Sequence, residues 1–285
     1  MEASNDTSRN ERLTVLAKAL RCPHCGATLA LNAADALCAG CGAACPIDHG
    51  ILVLTPRDAA QPAERDAEGR RTREAYEERY REVDNAARYN AAYREKFFKR
   101  LTTQREFMLL TRLLRSQPHS QLLLDLPCGG GRLSPALAPF ADTLIEADVA
   151  VGQVRYAAEH SVVKTPQVWM TASALAIPLR DNSVDGTVCC RLCHHLPQAE
   201  ERAQLVRELL RVSKRFVIMT YFEYHSVKNT IRRIRQPFNK KPPKMTMRLA
   251  EIAALATAAG ARVQTAPWIA PLSSGHRYAL LVKDA

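Results

Sequence analysis

Short apolar runs alternate with amphipathic stretches through the second half of the chain. Leu122-Leu-Leu-Asp-Leu126 has strand length and is almost wholly apolar, as a strand covered on both faces must be. Thr143–Asp148, Gln167–Thr171, Val184–Cys190 and Arg215–Tyr221 repeat that character. Helical stretches separate them: from Arg132 to about Pro139, Val151–His160, and Glu200–Val212 with Leu205, Leu209 and Leu210 on one face. Arg248–Ala259 predicts a last helix that Gly260 ends. Arg262–Thr265 and Arg277–Lys283 then form a closing strand pair around Ser274-Gly275. Before the first of these strands, Phe107, Leu110, Leu113 and Leu114 mark the core face of a helix. This alternation predicts an α/β fold, a mainly parallel sheet with helices on both faces.

The first half reads differently. Leu13, Leu16, Ala17 and Leu20 fit one face of a helix over residues 11–20, so 1–20 is a tail plus helix. Residues 21–56 form a small cysteine-bearing unit. Residues 57–72 are charged, contain Pro62 and Gly69, and read as a solvated linker. The large domain spans 73–285, with a helix-rich lead-in broken near Asp84-Asn85. Tyr80 and Tyr89 in that lead-in are candidates to cover a site on the sheet.

Length and charge narrow the classes. The 285 residues suit one large domain and one small one. No apolar run reaches the roughly 20 residues of a membrane span. Met1–Asn10 is polar and carries Glu2 and Asp6, unlike a secretory signal, so a cytoplasmic setting is expected. A formal charge of +11 favours an anionic partner. It concentrates in residues 225–248, which hold eight Lys or Arg and no Asp or Glu. Phe238, Pro237, Pro242 and Pro243 suggest an inserted loop or broken helix there (222–247), beside the open end of the sheet.

Four of the nine cysteines stand as two Cys-x-x-Cys-Gly knuckles, Cys22/Cys25 and Cys38/Cys41. Each turn aims two thiolates at one point, and together they make the tetrahedral sulfur set that zinc prefers. A closed four-ligand site is structural rather than catalytic. His24 is expected to face solvent, and Cys45 is a spare able to replace Cys41. Thr28–Leu31 and Ile51–Leu54 would be the strands of this ribbon. Its tail, Pro46-Ile-x-x-Gly-Ile-x-x-Leu54, resembles zinc-ribbon proteins that partner methyltransferases and the front end of rRNA guanine-N1 methyltransferases.

The chemistry is expected around Asp125-Leu-Pro-Cys-Gly-Gly-Gly131. An acid at a strand end followed by Gly-x-Gly lies where open α/β sheets bind ligands. No Gly-Lys-Ser/Thr follows, and the spacing is not that of the dinucleotide fingerprint. The stretch resembles motif I of the class I S-adenosylmethionine (SAM) methyltransferases, with Pro127 in place of the first glycine. Ala172–Asp185 resembles a second segment of the methyltransferase type 11-like domain, matching it at Ala174, Pro178, Asp181, Ser183 and Asp185. The resemblance implies a seven-stranded Rossmann-like sheet and a SAM site formed by Asp125, Pro127, Cys128, Gly129, Gly131, Asp148, Ser173, Ala174 and Arg191. Asp148 would take the ribose hydroxyls; Glu146, on the same strand face, is the lesser candidate. Ser173 stands where the family has an aspartate at the adenine. Arg191-Leu-Cys-His-His-Leu196 resembles the segment that faces the transferred methyl, which makes His194 and His195 candidate bases, with helix capping and packing as the plainer roles. Tyr221 is a further candidate at the acceptor. Cys189, Cys190 and Cys193 read as small core residues. The expected reaction is methyl transfer to a small-molecule or lipid-like acceptor, with RNA as the alternative. A non-catalytic scaffold that binds a protein partner is the third reading.

Overall fold

A computed structural model of the chain describes residues 16–32, 34–55, 97–238, 244–270 and 274–284. The expected linker and the tyrosines of the lead-in lie outside them, as does Leu13. Four short strands come first: β1 (Leu29–Leu31), β2 (Asp35–Cys38), β3 (Ala44–Asp48) and β4 (Ile51–Val53). Helix α1 (Phe97–Arg115) leads into β5 (Ser120–Asp125), α2 (Ser134–Leu137), β6 (Ala141–Asp148), α3 (Val151–His160) and β7 (Gln167–Thr171). Then follow β8 (Val184–Cys189), α4 (Ala199–Val212), β9 (Ser213–Phe222), α5 (Val227–Arg235), α6 (Leu249–Ala258), β10 (Ala261–Thr265) and β11 (His276–Lys283).

The described strands join in the order β1-β2-β3-β4-β7-β6-β5-β8-β9-β11-β10. The last seven are the expected α/β sheet, parallel except for β11, which runs antiparallel to both β9 and β10. The strand count differs from expectation because the ribbon is not separate from it. Ile51, Leu52 and Val53 of β4 pair in parallel with Trp169, Met170 and Thr171 of β7. An edge strand exposes unpaired N–H and C=O groups, and β4 satisfies those of β7. Thr171 Oγ1 strengthens the join by accepting the N–H groups of Leu54 (3.0 Å) and Thr55 (3.2 Å).

Side-chain alternation divides the core into two layers. Leu122, Leu124 and Leu126 face one way, with Leu205, Leu209 and Leu210 of α4 and Ile252 of α6. Leu123 faces the other, with Leu110, Leu113 and Leu114 of α1 and Leu137 of α2. A strand flanked on both sides must be apolar on both, which is why 122–126 shows no alternation in sequence. The helix expected to Pro139 is one turn followed by a 3-10 turn over Ala138–Phe140. The basic segment expected to be a loop or broken helix begins as α5, capped by Ser226, whose Oγ accepts the Asn229 N–H at 3.2 Å. Among the described residues, no helix is long and apolar enough to cross a membrane.

Candidate active site and metal centre

The strand order changes direction around β5, with β6 on one side and β8 on the other. Such a switch point opens a crevice beyond the carboxyl ends of the strands. Asp125 is in register with Glu146 of β6 and Val188 of β8, and Asp148 with Thr171 of β7. The Gly turn, Asp148, Ser173–Ala174 and Arg191 therefore lie at one edge of the sheet.

The turn is tied down by Asp148. Its buried carboxylate accepts the Gly129 N–H on Oδ2 and the Ala150 N–H on Oδ1, both at 3.0 Å. Asp148 thus positions the loop, in addition to any ligand contact. The Leu126–Pro127 peptide bond is cis. Gly129 and Gly131 have φ of 53° and 72°, values that disfavour a side chain. A Cβ on Gly131 would press on Ala157 of α3 at 3.3 Å, whereas one on Gly129 would have no atom within 4 Å among the described residues. Backbone open on the crevice side and packed behind is a fit for a ligand approaching the main chain. Ser173 is half-buried and its Oγ accepts the Leu175 N–H at 3.4 Å. Ala174 is buried.

Beneath the turn lies a feature that the motif did not reveal. Asp125 and Glu146 are fully buried register partners. Neither Asp125 oxygen makes a well-formed hydrogen bond. Burial first, and the Glu146 carboxyl second, push Asp125 well above the usual carboxylate range. Burial also raises Glu146. Asp125 is thus the proton-bearing member of the pair rather than an exposed carboxylate. Cys128 is buried and its thiol is pushed far up by burial, so it enters no thiolate chemistry.

Arg191 occupies the left-handed region (φ 65°) just beyond β8, where its N–H donates to Thr220 Oγ1 at 2.7 Å. Its guanidinium contacts Glu106 Oε1 through Nη2 (2.6 Å) and Nε (2.9 Å). Arg132, in the turn, takes Glu106 Oε2 at 2.9 Å. Glu106 is buried on α1 and links the Gly turn to the end of β8, a role that its place on a helix gave no sign of.

The two histidines part company. His194 is buried and its ring lies 4.3 Å from Phe222 and 5.1 Å from His276, with His195 at 4.2 Å. Phe222 and His276 are register partners on β9 and β11, their rings 4.2 Å apart. Burial, then neighbouring positive charge, lowers His276 to about 3 and takes His194 lower still. A general base works best near the operating pH, so these imidazoles suit a neutral wall better than proton abstraction. His195 is exposed. Tyr221 points to the opposite sheet face from Phe222, fully buried, and its hydroxyl donates to Glu223 Oε2 at 3.0 Å. Period-two alternation makes Phe222 the residue that reaches the cluster. Cys189, Cys190 and Cys193 are buried as expected, and burial raises all three thiols.

At the other end, the Sγ atoms of Cys22, Cys25, Cys38 and Cys41 all lie within 4.8 Å of one another. Cys22–Cys41 and Cys25–Cys38 are 3.8 and 3.4 Å apart. A tetrahedral ion with zinc–sulfur bonds of about 2.3 Å sets its sulfurs about 3.8 Å apart. The N–H groups of Gly40 and Cys41 point at Cys38 Sγ (3.3 and 3.4 Å), that of Cys41 leading the fall of its thiol to about 6. Charge on this sulfur is thereby favoured before any metal arrives. The site fits zinc. His24 is exposed, as expected, while Cys45 is buried on β3 outside the sulfur cluster.

Residues 124–218 match the model of a family described as a methyltransferase domain. No curated protein matches the chain in sequence. Among solved structures, it is similar to magnesium protoporphyrin IX methyltransferase from Synechocystis with bound SAH, with a TM-score of 0.62 and 16% identity over 74% of this chain and 99% of that one. A Haloferax volcanii complex of the Trm112 methyltransferase activator with a methyltransferase gives a TM-score of 0.52 and 14% identity, over 68% and 97% of the two chains. The chain therefore carries a methyltransferase domain, built on the fold of SAM-dependent methyltransferases and joined to a four-cysteine ribbon.

Proposed function

We propose that the protein transfers a methyl group from SAM to a small-molecule or lipid-like acceptor held against His194, Phe222 and His276. The observation that carries this reading is the character of that wall. It is aromatic and uncharged at neutral pH, and it stands at the carboxyl end of β9, just past that of β8, beside Arg191. Apolar pockets with a few convergent polar atoms suit organic ligands. Here the polar atoms are His194 Nδ1 and His276 Nε2, neither hydrogen-bonded among the described residues. A similar fold acts on magnesium protoporphyrin IX in Synechocystis, an organic acceptor.

When bound, SAM supplies an electrophilic methyl group on a sulfonium. The turn at Gly129–Gly131 and Asp148 would hold its ribose side, Ser173 and Ala174 its adenine, and Arg191 its charged amino-acid end. With the methyl group so activated, the chain's task is to align the acceptor and exclude water. Zinc on the four cysteines would be structural, since all four ligand positions come from the protein. RNA is the rival acceptor, favoured by the acid-free basic stretch 225–248.

The test is transfer of labelled methyl from SAM into a fractionated cell extract, with and without ribonuclease. Label in the organic-soluble fraction is the expected result. Label confined to ribonuclease-sensitive material would overturn the acceptor class. Calorimetry that finds no SAM binding to zinc-replete protein would overturn the enzyme reading as a whole.

A further inference from the structure

Helix α5 turns an apolar stripe to solvent. Val227, Ile231 and Ile234 of α5, and Phe238 in the turn that follows, are spaced 4, 3 and 4 residues apart, which is one helix face. Their exposures are 50%, 49%, 69% and 92%. A water-facing helix seldom spends three of its aliphatic residues and a following phenylalanine this way, and an apolar patch rimmed by polar groups marks an interaction surface. The rim here carries cations and no acid. Lys228 and Arg235 flank the stripe, and no acid occurs between residues 225 and 248. Among the described residues, Arg232, Arg233, Arg235 and Lys244 form no ion pair with a carboxylate. Asn229, Arg232, Arg233, Gln236, Lys244 and Thr246 line a small cleft behind the helix.

We propose that α5 is a docking helix for an anionic lipid bilayer. Its aliphatic stripe would enter the boundary between headgroups and acyl chains, while Lys228 and Arg235 beside it meet lipid phosphates. An amphipathic helix with Lys and Arg on its polar face and Ile and Phe on the other has the chemistry of an interfacial helix. Charge complementarity with RNA would account for the cations but gives no use to the exposed isoleucines. The inner face of α5 is firmly anchored. Buried Asn229 donates to the carbonyls of Glu223 (2.9 Å) and Gly275 (3.2 Å). From that face Arg232 reaches to 5.0 Å from the Phe222 ring, the wall of the proposed acceptor pocket. Docking through the outer face would therefore set the acceptor entrance against the bilayer. The inference rests on the lipid-like acceptor reading and specifies how such an acceptor is reached.

The experiment is co-sedimentation of the full zinc-loaded chain with vesicles of phosphatidylcholine, with and without about one-third phosphatidylglycerol. Binding to the anionic vesicles is expected, with little to phosphatidylcholine alone. The variant I231Q/I234Q keeps every charge and a helix-compatible side chain. Its partition should fall about 100-fold, about 10-fold for each buried aliphatic side chain lost, with melting temperature and SAM affinity unchanged. No binding of the wild type to anionic vesicles overturns the proposal. So does binding that the double variant retains in full, because charge alone would then explain it. RNA binding that the double variant loses, without vesicle binding, also overturns it. Label in the organic-soluble fraction together with no vesicle binding would sink the docking helix alone and leave the acceptor class standing.

Discussion

Two titratable residues at the site pull stability in opposite directions with pH. His276 is held neutral, its folded value near 3 lying below the ordinary imidazole value. Its contribution is present above about pH 6.5 and is lost as the pH falls towards 3, because the unfolded chain takes up the proton first. The variant His276→Gln, with a neutral side chain at all pH, should lose less melting temperature between pH 7 and pH 5 than the wild type. An equal loss in both would show that this imidazole is not the acid-sensitive group. Asp125 has the reverse sign. Its raised folded value means that stability is full below about pH 4 and is lost as the pH rises through that value. Asp125→Asn keeps the shape without the ionisation, so its melting temperature should gain on the wild type as the pH rises. A melting curve of the variant that tracks the wild type from pH 5 to pH 9 would refute a proton-bearing Asp125. Asp125 was legible in the sequence as a motif acid; its partner was not, since Glu146 meets it only through the parallel register of β5 and β6.

Among the elements, prediction was best where a local pattern decides the outcome. Val151–His160 and Gln167–Thr171 form over the residues that their periodicity and apolar content indicated. Both knuckles were legible for the same reason, since Cys-x-x-Cys-Gly sets its own turn. Hydrogen bonds from Gly26 N to Cys22 O and from Gly42 N to Cys38 O close the two turns in the same way. The acceptor wall was not legible, because Phe222 and His276 meet across an antiparallel pairing of residues 54 positions apart. Tyr221 and Phe222 differ by one position, which in a strand is the whole difference between two faces. The ribbon offers a direct test of one remaining choice. Zinc content measured on purified protein should be one ion per chain in the wild type and in Cys45→Ser. It should fall well below one in Cys38→Ser, which removes the sulfur at which two N–H groups point. Loss of zinc in Cys45→Ser to the same degree would move Cys45 into the ligand set.

At the scale of the whole molecule, the ribbon and the methyltransferase sheet are one continuous structure, and this has an energetic consequence. Strand β4 is the outer neighbour of β7, and β7 runs directly into Ser173 and Ala174. The Ala172 N–H in turn donates to the Asp148 carbonyl at 3.0 Å, so β7 is tied to the acid that holds the Gly turn. Arg180 adds a second clasp, its N–H on the Ala19 carbonyl (2.8 Å) and its Nε on the Leu20 carbonyl (3.1 Å). Structural zinc binding is folding free energy, of the order of 10 kcal/mol in isolated fingers. Only part of that needs to reach β7 for the SAM site to respond. Chelating the metal should therefore weaken SAM binding by about tenfold, which is about 1.4 kcal/mol, with calorimetry as the measurement. Thr171→Val should produce a smaller version of the same effect with zinc still bound. It removes the one side-chain oxygen that accepts both the Leu54 and Thr55 N–H groups, at a cost of about 1–3 kcal/mol. Amide exchange in β4 then reports whether the join has loosened. If chelation frees the β4 amides to exchange while SAM affinity stays the same, the ribbon is a passenger on the sheet edge and the coupling through β7 is wrong.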